Sequence, residues 1–460
     1  MRVAVVGSGP AGVYAAEALV RSGDDVRVDV MDRLPTPFGL VRYGVAPDHP
    51  RTQTVSAALA TVLAQSAVRF LGNVDVGTDL TVAELHQHYD AVVFTTGAAV
   101  DRRLDVPGEH LPGSVSATEF VAWYCGHPDV SPDRFELDAR SVAVVGAGNV
   151  AGDVARMLAR SPAELRSTDA PEHVLRTFAR SGVEEVHVLV RRGPVQARFT
   201  TRELRELGQM TDADVLVDPA ELELDDISRA ELVSNPAARR NHELLRTWAE
   251  RPPAGRLRRV HLHFYRRPVE VLGEHSVSGV RLERTRLAPD GSTEGTGQTH
   301  VLDVEMVLRA VGYRGAPLAG LPFDEASGVV PNDAGRVLRN GSPSPGEYVA
   351  GWAKRGPTGV IGTNKHDARE TVRGLLADLA SIPHRQIKDP DAILHLLAGR
   401  GRRVVDWTGW LGIERAEVGL GRAQDRDRAK ISDRETLLRL AEGEVQTPAV
   451  RGATSRESCP

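Results

Sequence analysis

The chain has almost no cysteine: Cys125 and Cys459 are the two in 460 residues. They form no CxxC, which excludes a dithiol redox motif and argues against a disulfide framework. Long hydrophobic runs are missing too. No apolar stretch approaches the roughly 18 residues of a membrane span, so no membrane association is expected. A strand-like run begins at Arg2 with no signal-like segment ahead of it, and the expectation is a cytoplasmic protein. Lysine is scarce and arginine takes its place. The formal net charge of -5 argues against a nucleic-acid binder. No metal is expected. What remains, 41% hydrophobic and 26% charged, is ordinary for a globular protein, and the length asks for two or three domains.

Against these absences stand two glycine-rich loops. Gly7-Ser8-Gly9-Pro10-Ala11-Gly12 follows the apolar run Val3 to Val6, and Gly146-Ala147-Gly148-Asn149-Val150-Ala151 follows Val142 to Val145. Each reads as a strand, a phosphate-binding turn and a helix, with Ala151 an allowed replacement for the third glycine. After the first loop a helix is expected over about Pro10 to Arg21 and a strand over Val26 to Met31. Asp32 then stands 20 residues past Gly12, at the spacing of an acid that holds a ribose hydroxyl. This predicts an adenine dinucleotide with a free ribose, FAD or NAD. After the second loop, helices are expected over Val150 to Leu158 and Pro171 to Arg180, and a strand over Glu185 to Val190. That strand ends on Arg191-Arg192, a pair suited to a 2′-phosphate, which predicts NADP. Two further apolar runs, Val92 to Ala98 and Met306 to Tyr313, carry glycine near their carboxyl ends and suit the crevice side of a parallel sheet. The fold class is α/β with two Rossmann-like units, and two dinucleotides in one chain imply electron transfer between them.

Four stretches are more specific than any dinucleotide fingerprint: GSGPAGVYAAEAL from Gly7, PFGLVRYGVAPDHP from Pro37, RRGPVQARFTTRELREL from Arg191 and GWAKRGPTGVIGTNK from Gly351. In content and order the chain resembles the adrenodoxin-reductase-type NADPH:ferredoxin reductases, over roughly residues 1 to 445. The resemblance implies a discontinuous FAD domain, 1-105 and 312-445, with an NADP domain, 106-311, inserted, and leaves 446-460 as a flexible tail. It implies FAD contacts at Gly7, Gly9, Ala11, Gly12, Asp32, Leu40, Val76, Trp352, Gly359, Val360 and Ile361. The implied NADP contacts are Gly146, Ala147, Gly148, Asn149, Val150, Arg191, Arg192 and Glu203. It places His49 near the flavin and nicotinamide, with Glu206 as its partner, as the catalytic pair. Where adrenodoxin reductases proper carry Glu, this chain has Asp32. Gly152 stands where a larger residue is common.

Some residues admit a plainer role. His49 lies in Pro47-Asp48-His49-Pro50 and would serve equally as a turn histidine bonded to its neighbours. Thr200-x-x-Glu203 also spells a capping box. Residues 229 to 267 hold ten arginines against three glutamates, just after an acid-rich run at 212 to 226. The basic stretch is a candidate docking face for an acidic ferredoxin, or a solvated face neutralised by its neighbours. The implied activity is that of a ferredoxin–NADP reductase: hydride from NADPH to FAD, then single electrons to an iron–sulfur protein. The alternatives are an NADPH-oxidising subunit of another redox system and a non-enzymatic flavin-binding regulatory module.

Overall fold

Val3 and Val5 point to one face of the strand Arg2–Val6, Ala4 and Val6 to the other, and all four are buried. A strand covered on both faces belongs inside a parallel sheet. That is what the structure contains, a computed structural model describing residues 1–23, 25–49, 53–382 and 389–443. The first sheet runs in the order Asn332–Asp333, Arg336–Arg339, Ser342–Val349, Ala91–Phe94, Arg2–Val6, Arg27–Asp32, Val68–Gly72. From Ser342–Val349 onward every pairing is parallel, and an antiparallel pair closes the other edge.

The second sheet is parallel throughout and uses only the middle of the chain. Its order is Ser114–Ser116, Met306–Arg309, Ser141–Val145, Glu185–Val190, Arg258–Phe264, Ala213–Val217. A three-stranded antiparallel sheet, Arg266–Leu272, Gly279–Leu287 and Thr293–Leu302, covers part of one face. The molecule is thus two dinucleotide-binding α/β units, the first assembled from both ends of the chain around the second. Where the chain leaves the first sheet and where it returns, Val100–Asp101 and Tyr313–Arg314 pair antiparallel with each other.

Most expected elements form within a residue or two of their expected limits: the helices Pro10–Val20, Asn149–Ala159 and Glu172–Arg180 and the strands Arg27–Asp32 and Glu185–Val190. The run from Met306 is shorter than expected as a strand, because Gly312 turns the backbone into the left-handed region and redirects the chain toward the crossing pair. Pro50 and the tail expected over 446-460 lie outside the described residues.

In both sheets the glycine loop sits where the strand order reverses. Arg2–Val6 lies between Ala91–Phe94 and Arg27–Asp32, and Ser141–Val145 lies between Met306–Arg309 and Glu185–Val190. In an open parallel sheet that reversal opens the crevice in which ligands bind.

Candidate dinucleotide sites and the junction between them

Three glycines make the first loop. A Cβ at Gly7 would stand 2.5 Å from the Thr95 carbonyl oxygen, and one at Gly12 would stand 1.9 Å from that of Gly7. A Cβ at Gly9 would meet nothing within 4 Å. The loop is therefore closed against the sheet and open on its outer side, beside the amino end of the helix Pro10–Val20, as a pyrophosphate cradle requires. The second loop repeats the arrangement. A Cβ at Gly146 would stand 2.4 Å from the Ala310 oxygen, while Gly148 faces open space. Ala151, at the third position, is fully buried.

Asp32 has work inside its own loop. Its Oδ2 accepts from Ser8 N at 2.9 Å and Ser8 Oγ at 2.6 Å, and its Oδ1 accepts from Leu34 N at 3.0 Å. Burial pushes its carboxyl above the ordinary value, against the pull of these hydrogen bonds. The PFGLVRYG segment lies across the same loop. Phe38 N donates to Ser8 O at 3.1 Å, and a Cβ on Gly39 would be 3.1 Å from the Gly9 Cα. Leu40 follows, 37% exposed, at the head of the short helix Leu40–Tyr43. From the other end of the chain, Gly351 packs so closely on Ala11 that a Cβ would be 2.5 Å from it. Trp352 sits 5.7 Å from Tyr313, ring to ring, and its indole donates to Thr358 O. Beyond it come Gly359, in the left-handed region, then exposed Val360 and half-buried Ile361. Val76 is different: its side chain is buried in the core, so any cofactor contact falls to its backbone.

The second site is built by the segment after Arg191-Arg192, which runs back along its loop. Arg198 N donates to Ala147 O at 2.7 Å, and Thr200 N donates to Asn149 Oδ1 at 2.9 Å. Neither Arg191 nor Arg192 has an ion-pair partner among the described residues, and Arg192 Nε is buried without a hydrogen bond. Arg192 lines a cavity of about 490 Å³ together with Gln196 and Asn241, whose amide oxygens are also buried and unpartnered. Buried polar groups that lack partners inside the protein suit a polar ligand: the Arg192 guanidinium can donate to a phosphate, and the two amide oxygens can accept from the N–H and O–H groups of a nucleoside.

His49 stands at the junction. Its turn belongs to the first unit, yet every side chain clasping its ring comes from the second. Nε2 lies 3.0 Å from Asp153 and 3.3 Å from Glu203, and Nδ1 lies 3.2 Å from Glu206. The adjacent Asp48 accepts a fork from the buried guanidinium of Arg156, at 2.6 and 3.0 Å, and pairs with Arg160 at 2.8 Å. Two proton arrangements compete at His49, because Arg156 Nη2 also stands 2.6 Å from Nε2. A neutral ring would accept from Arg156; a charged ring would donate to both sides. Arg160 also pairs with Glu164 and Glu206 with Arg202, so five carboxylates surround three guanidiniums here and the imidazolium best balances the cluster. Burial alone would lower its pKa, but the bonds to Asp153 and Glu203 outweigh burial and raise it to about 10.

Residues 1–210 match the family of pyridine nucleotide-disulphide oxidoreductases. The NADPH-ferredoxin reductase FprA of Mycobacterium tuberculosis (strain ATCC 25618 / H37Rv) is 42% identical, across 96% of this chain and 99% of that protein. The chain belongs to the NADPH:ferredoxin (adrenodoxin) reductase family. The mitochondrial NADPH:adrenodoxin oxidoreductase of Arabidopsis thaliana is 40% identical, with coverages of 96% and 95%. Among solved structures, M. tuberculosis FprA in complex with NADPH superposes with a TM-score of 0.91 at 41% identity, covering 96% and 99% of the two chains.

Within this family member, the capping box at Thr200 is half formed. Glu203 N donates to Thr200 Oγ1 at 3.3 Å, but Thr200 N is taken by Asn149 and the Glu203 carboxylate turns to His49 and Arg156. The basic stretch is largely neutralised. Six of its ten arginines ion-pair: Arg229 with Asp226, Arg246 with Glu250, Arg256 with Asp214, Arg259 with Glu185, Arg266 with Glu221, and Arg267 with Glu283. Sequence reading missed Asp48, Asp153 and Arg156. A signal was present: Asn149, Asp153, Arg156 and Arg160 recur at helical spacing down one face of the helix that opens from the second loop.

Proposed function

We propose that this chain takes hydride from NADPH onto FAD and passes the electrons singly to a ferredoxin-type iron–sulfur protein. The observation that carries the reading is the junction: a histidine from the unit with Asp32 is gripped by acids from the unit with Arg191 and Arg192. FAD supplies the exchange between two-electron and one-electron chemistry. The residues supply position. The Gly7 to Gly12 loop holds the flavin pyrophosphate at a helix amino end. Asp32 organises that loop through Ser8 and offers its remaining acceptor capacity to a ribose hydroxyl. Leu40, Trp352 and Gly359 to Ile361 would line the flavin site, with Val76 contributing through its backbone. Gly146 to Val150 take the NADP pyrophosphate, and Arg191 and Arg192 take its 2′-phosphate. His49 acts as a fixed cation where the two cofactors meet, held by Glu203 and Glu206. Hydride transfer needs no proton at this point, so a permanently charged imidazole serves by orienting and by its field.

The domain boundaries follow the paired crossings, with 1-105 and 312-445 holding FAD and 106-311 holding NADP. For ferredoxin docking we assign the exposed arginines of this stretch with no carboxylate partner among the described residues, Arg239, Arg240 and Arg251, together with Arg205 on the neighbouring helix Thr201–Leu207. That helix packs against Pro236–Glu250. We place the enzyme in the cytoplasm. Cys125 is buried and unpaired, and no helix among the described residues is long and apolar enough to cross a membrane.

The test uses the purified yellow holoenzyme. NADPH should bleach the flavin, and cytochrome c should be reduced only when an acidic ferredoxin is added. Ferredoxin turnover should slow as salt rises, since exposed charge is screened over about 8–10 Å. The Arg240→Glu/Arg251→Glu variant should lose most of that salt dependence. A bound flavin that NADPH leaves oxidised would overturn the reading.

A further inference from the structure

Three histidines, His187, His261 and His263, come together on the second sheet, away from the junction. Strands Glu185–Val190 and Arg258–Phe264 run parallel with His187 opposite His261 and Leu189 opposite His263. The period-two alternation sends Val186, Val188, Val260, Leu262 and Phe264 into the main core. The three imidazoles therefore share the other face. His187 Nδ1 lies 3.0 Å from His263 Nε2, and the His187 and His261 rings stack at 4.6 Å. One ligand nitrogen from each residue falls within 4.8 Å of the other two.

Two features make this more than a crowded β-face. First, His261 Nε2 is held by Glu185 Oε2 at 2.7 Å, the carboxylate–histidine pairing that orients a ligating ring and leaves Nδ1 for the metal. Second, the nearby cationic side chains Arg259 and Arg266 are answered by Glu185 and Glu221. The three rings lie nearly parallel, at interplanar angles of 18°, 25° and 9°, so a metal draws the nitrogens together by turning the rings out of this stack on strands that keep the Cβ positions fixed.

We propose that His187, His261 and His263 form a transition-metal site that takes Zn(II), Ni(II) or Cu(II) through three imidazoles and leaves a fourth position to water. The donor set is all nitrogen, which selects these borderline ions over Mg(II) and Ca(II). A metal here braces the two strands whose ends carry Arg191 and Tyr265, and Tyr265 N donates to Arg192 O. The role is structural and leaves the chemistry of the cofactors untouched.

The test is titration of chelator-stripped holoenzyme with Zn(II) against a chromophoric competitor. About one Zn(II) per chain should bind, with Mg(II) giving no competition, and zinc should raise the thermal midpoint by mass action. His187→Val and His263→Val should each weaken binding at least tenfold, and Glu185→Gln roughly tenfold through loss of ring orientation. Valine suits a half-buried strand, so flavin reduction by NADPH should be unchanged in both histidine variants, which shows they are folded. Co(II) should give an intense tetrahedral visible band in the parent and lose it in His263→Val. No stoichiometric zinc in the parent, or unweakened zinc in both histidine variants, would overturn the site.

Discussion

Single side chains separate the two loops. Asp32 is shorter than the glutamate of the adrenodoxin reductases, and its carboxylate accepts from its own loop at Ser8. Arg191 and Arg192 sit at the equivalent strand end with no carboxylate among the described residues to neutralise them. Replacing both with alanine should remove about 3 kcal/mol of charge-assisted binding to the 2′-phosphate, roughly 150-fold in kcat/KM for NADPH. NADH, which lacks that phosphate, should be used as before; equal losses for both would refute the assignment. His49 makes a pH prediction. Its folded pKa, about 10, lies above the ordinary histidine value, so the folded state holds a proton that the unfolded chain releases near pH 6.5. Its contribution to stability is thus complete below about pH 6.5 and disappears as pH climbs through about 10. Stopped-flow reduction by NADPH should stay flat up to about pH 9 and fall near 10. His49→Gln should be slower by about tenfold, or about 1.4 kcal/mol, with no inflection there. A parental pH profile in the variant would remove the imidazolium from the mechanism.

Helices and strands were legible where local rules act alone. Apolar strands followed by Gly-x-Gly turns left few alternatives for the loops, and both strand–turn–helix units formed as expected. The polar stripe on Asn149–Ala159 was not read, because polar residues at helical spacing ordinarily mark a solvated face. Here they face inward and stitch the helix to the His49 turn and to Thr200, a pairing that depends on how two distant segments dock. The same applies to the basic stretch. Its ten arginines look like a free positive surface along the chain, but the antiparallel sheet and the acid run bring Glu283, Asp214 and Glu221 alongside them. The helix also accounts for what an added methyl at Gly152 would meet. A Cβ there would stand 3.6 Å from Phe199, an ordinary contact, so the position has room for alanine. Gly152→Ala should stabilise the helix by up to about 1 kcal/mol. A higher guanidinium midpoint with unchanged NADPH kinetics is expected, and a lower midpoint would show that the site is tighter than the contact distance implies.

At the scale of the molecule, the chain's last described segment straps the two units together. Helix Trp407–Arg422 supplies Glu417, which forms a buried fork with Arg42 of the flavin-side segment at 2.6 and 3.0 Å. Arg42 also lies over the rings of Tyr43 and Trp410. A few residues on, Lys430 donates to Arg42 O at 2.9 Å and pairs with Asp169 of the NADP side at 3.2 Å. Arg426 donates to Ala170 O, and Arg434 pairs with Asp129. The relative placement of the two cofactor sites therefore rests on a segment far from both glycine loops in sequence. Glu417 is fully buried, so removing its charge strands the guanidinium of Arg42 in a low-dielectric interior. Glu417→Gln should cost about 3–5 kcal/mol. Because Arg42 lies two residues from Leu40, the loss should also loosen the wall of the flavin site. Guanidinium unfolding followed by flavin fluorescence should show release of the cofactor at lower denaturant than in the parent. Arg42→Met/Glu417→Leu, which removes both charges and keeps the volume, should recover most of the loss. If the double variant is as weak as Glu417→Gln, packing and not charge holds the strap.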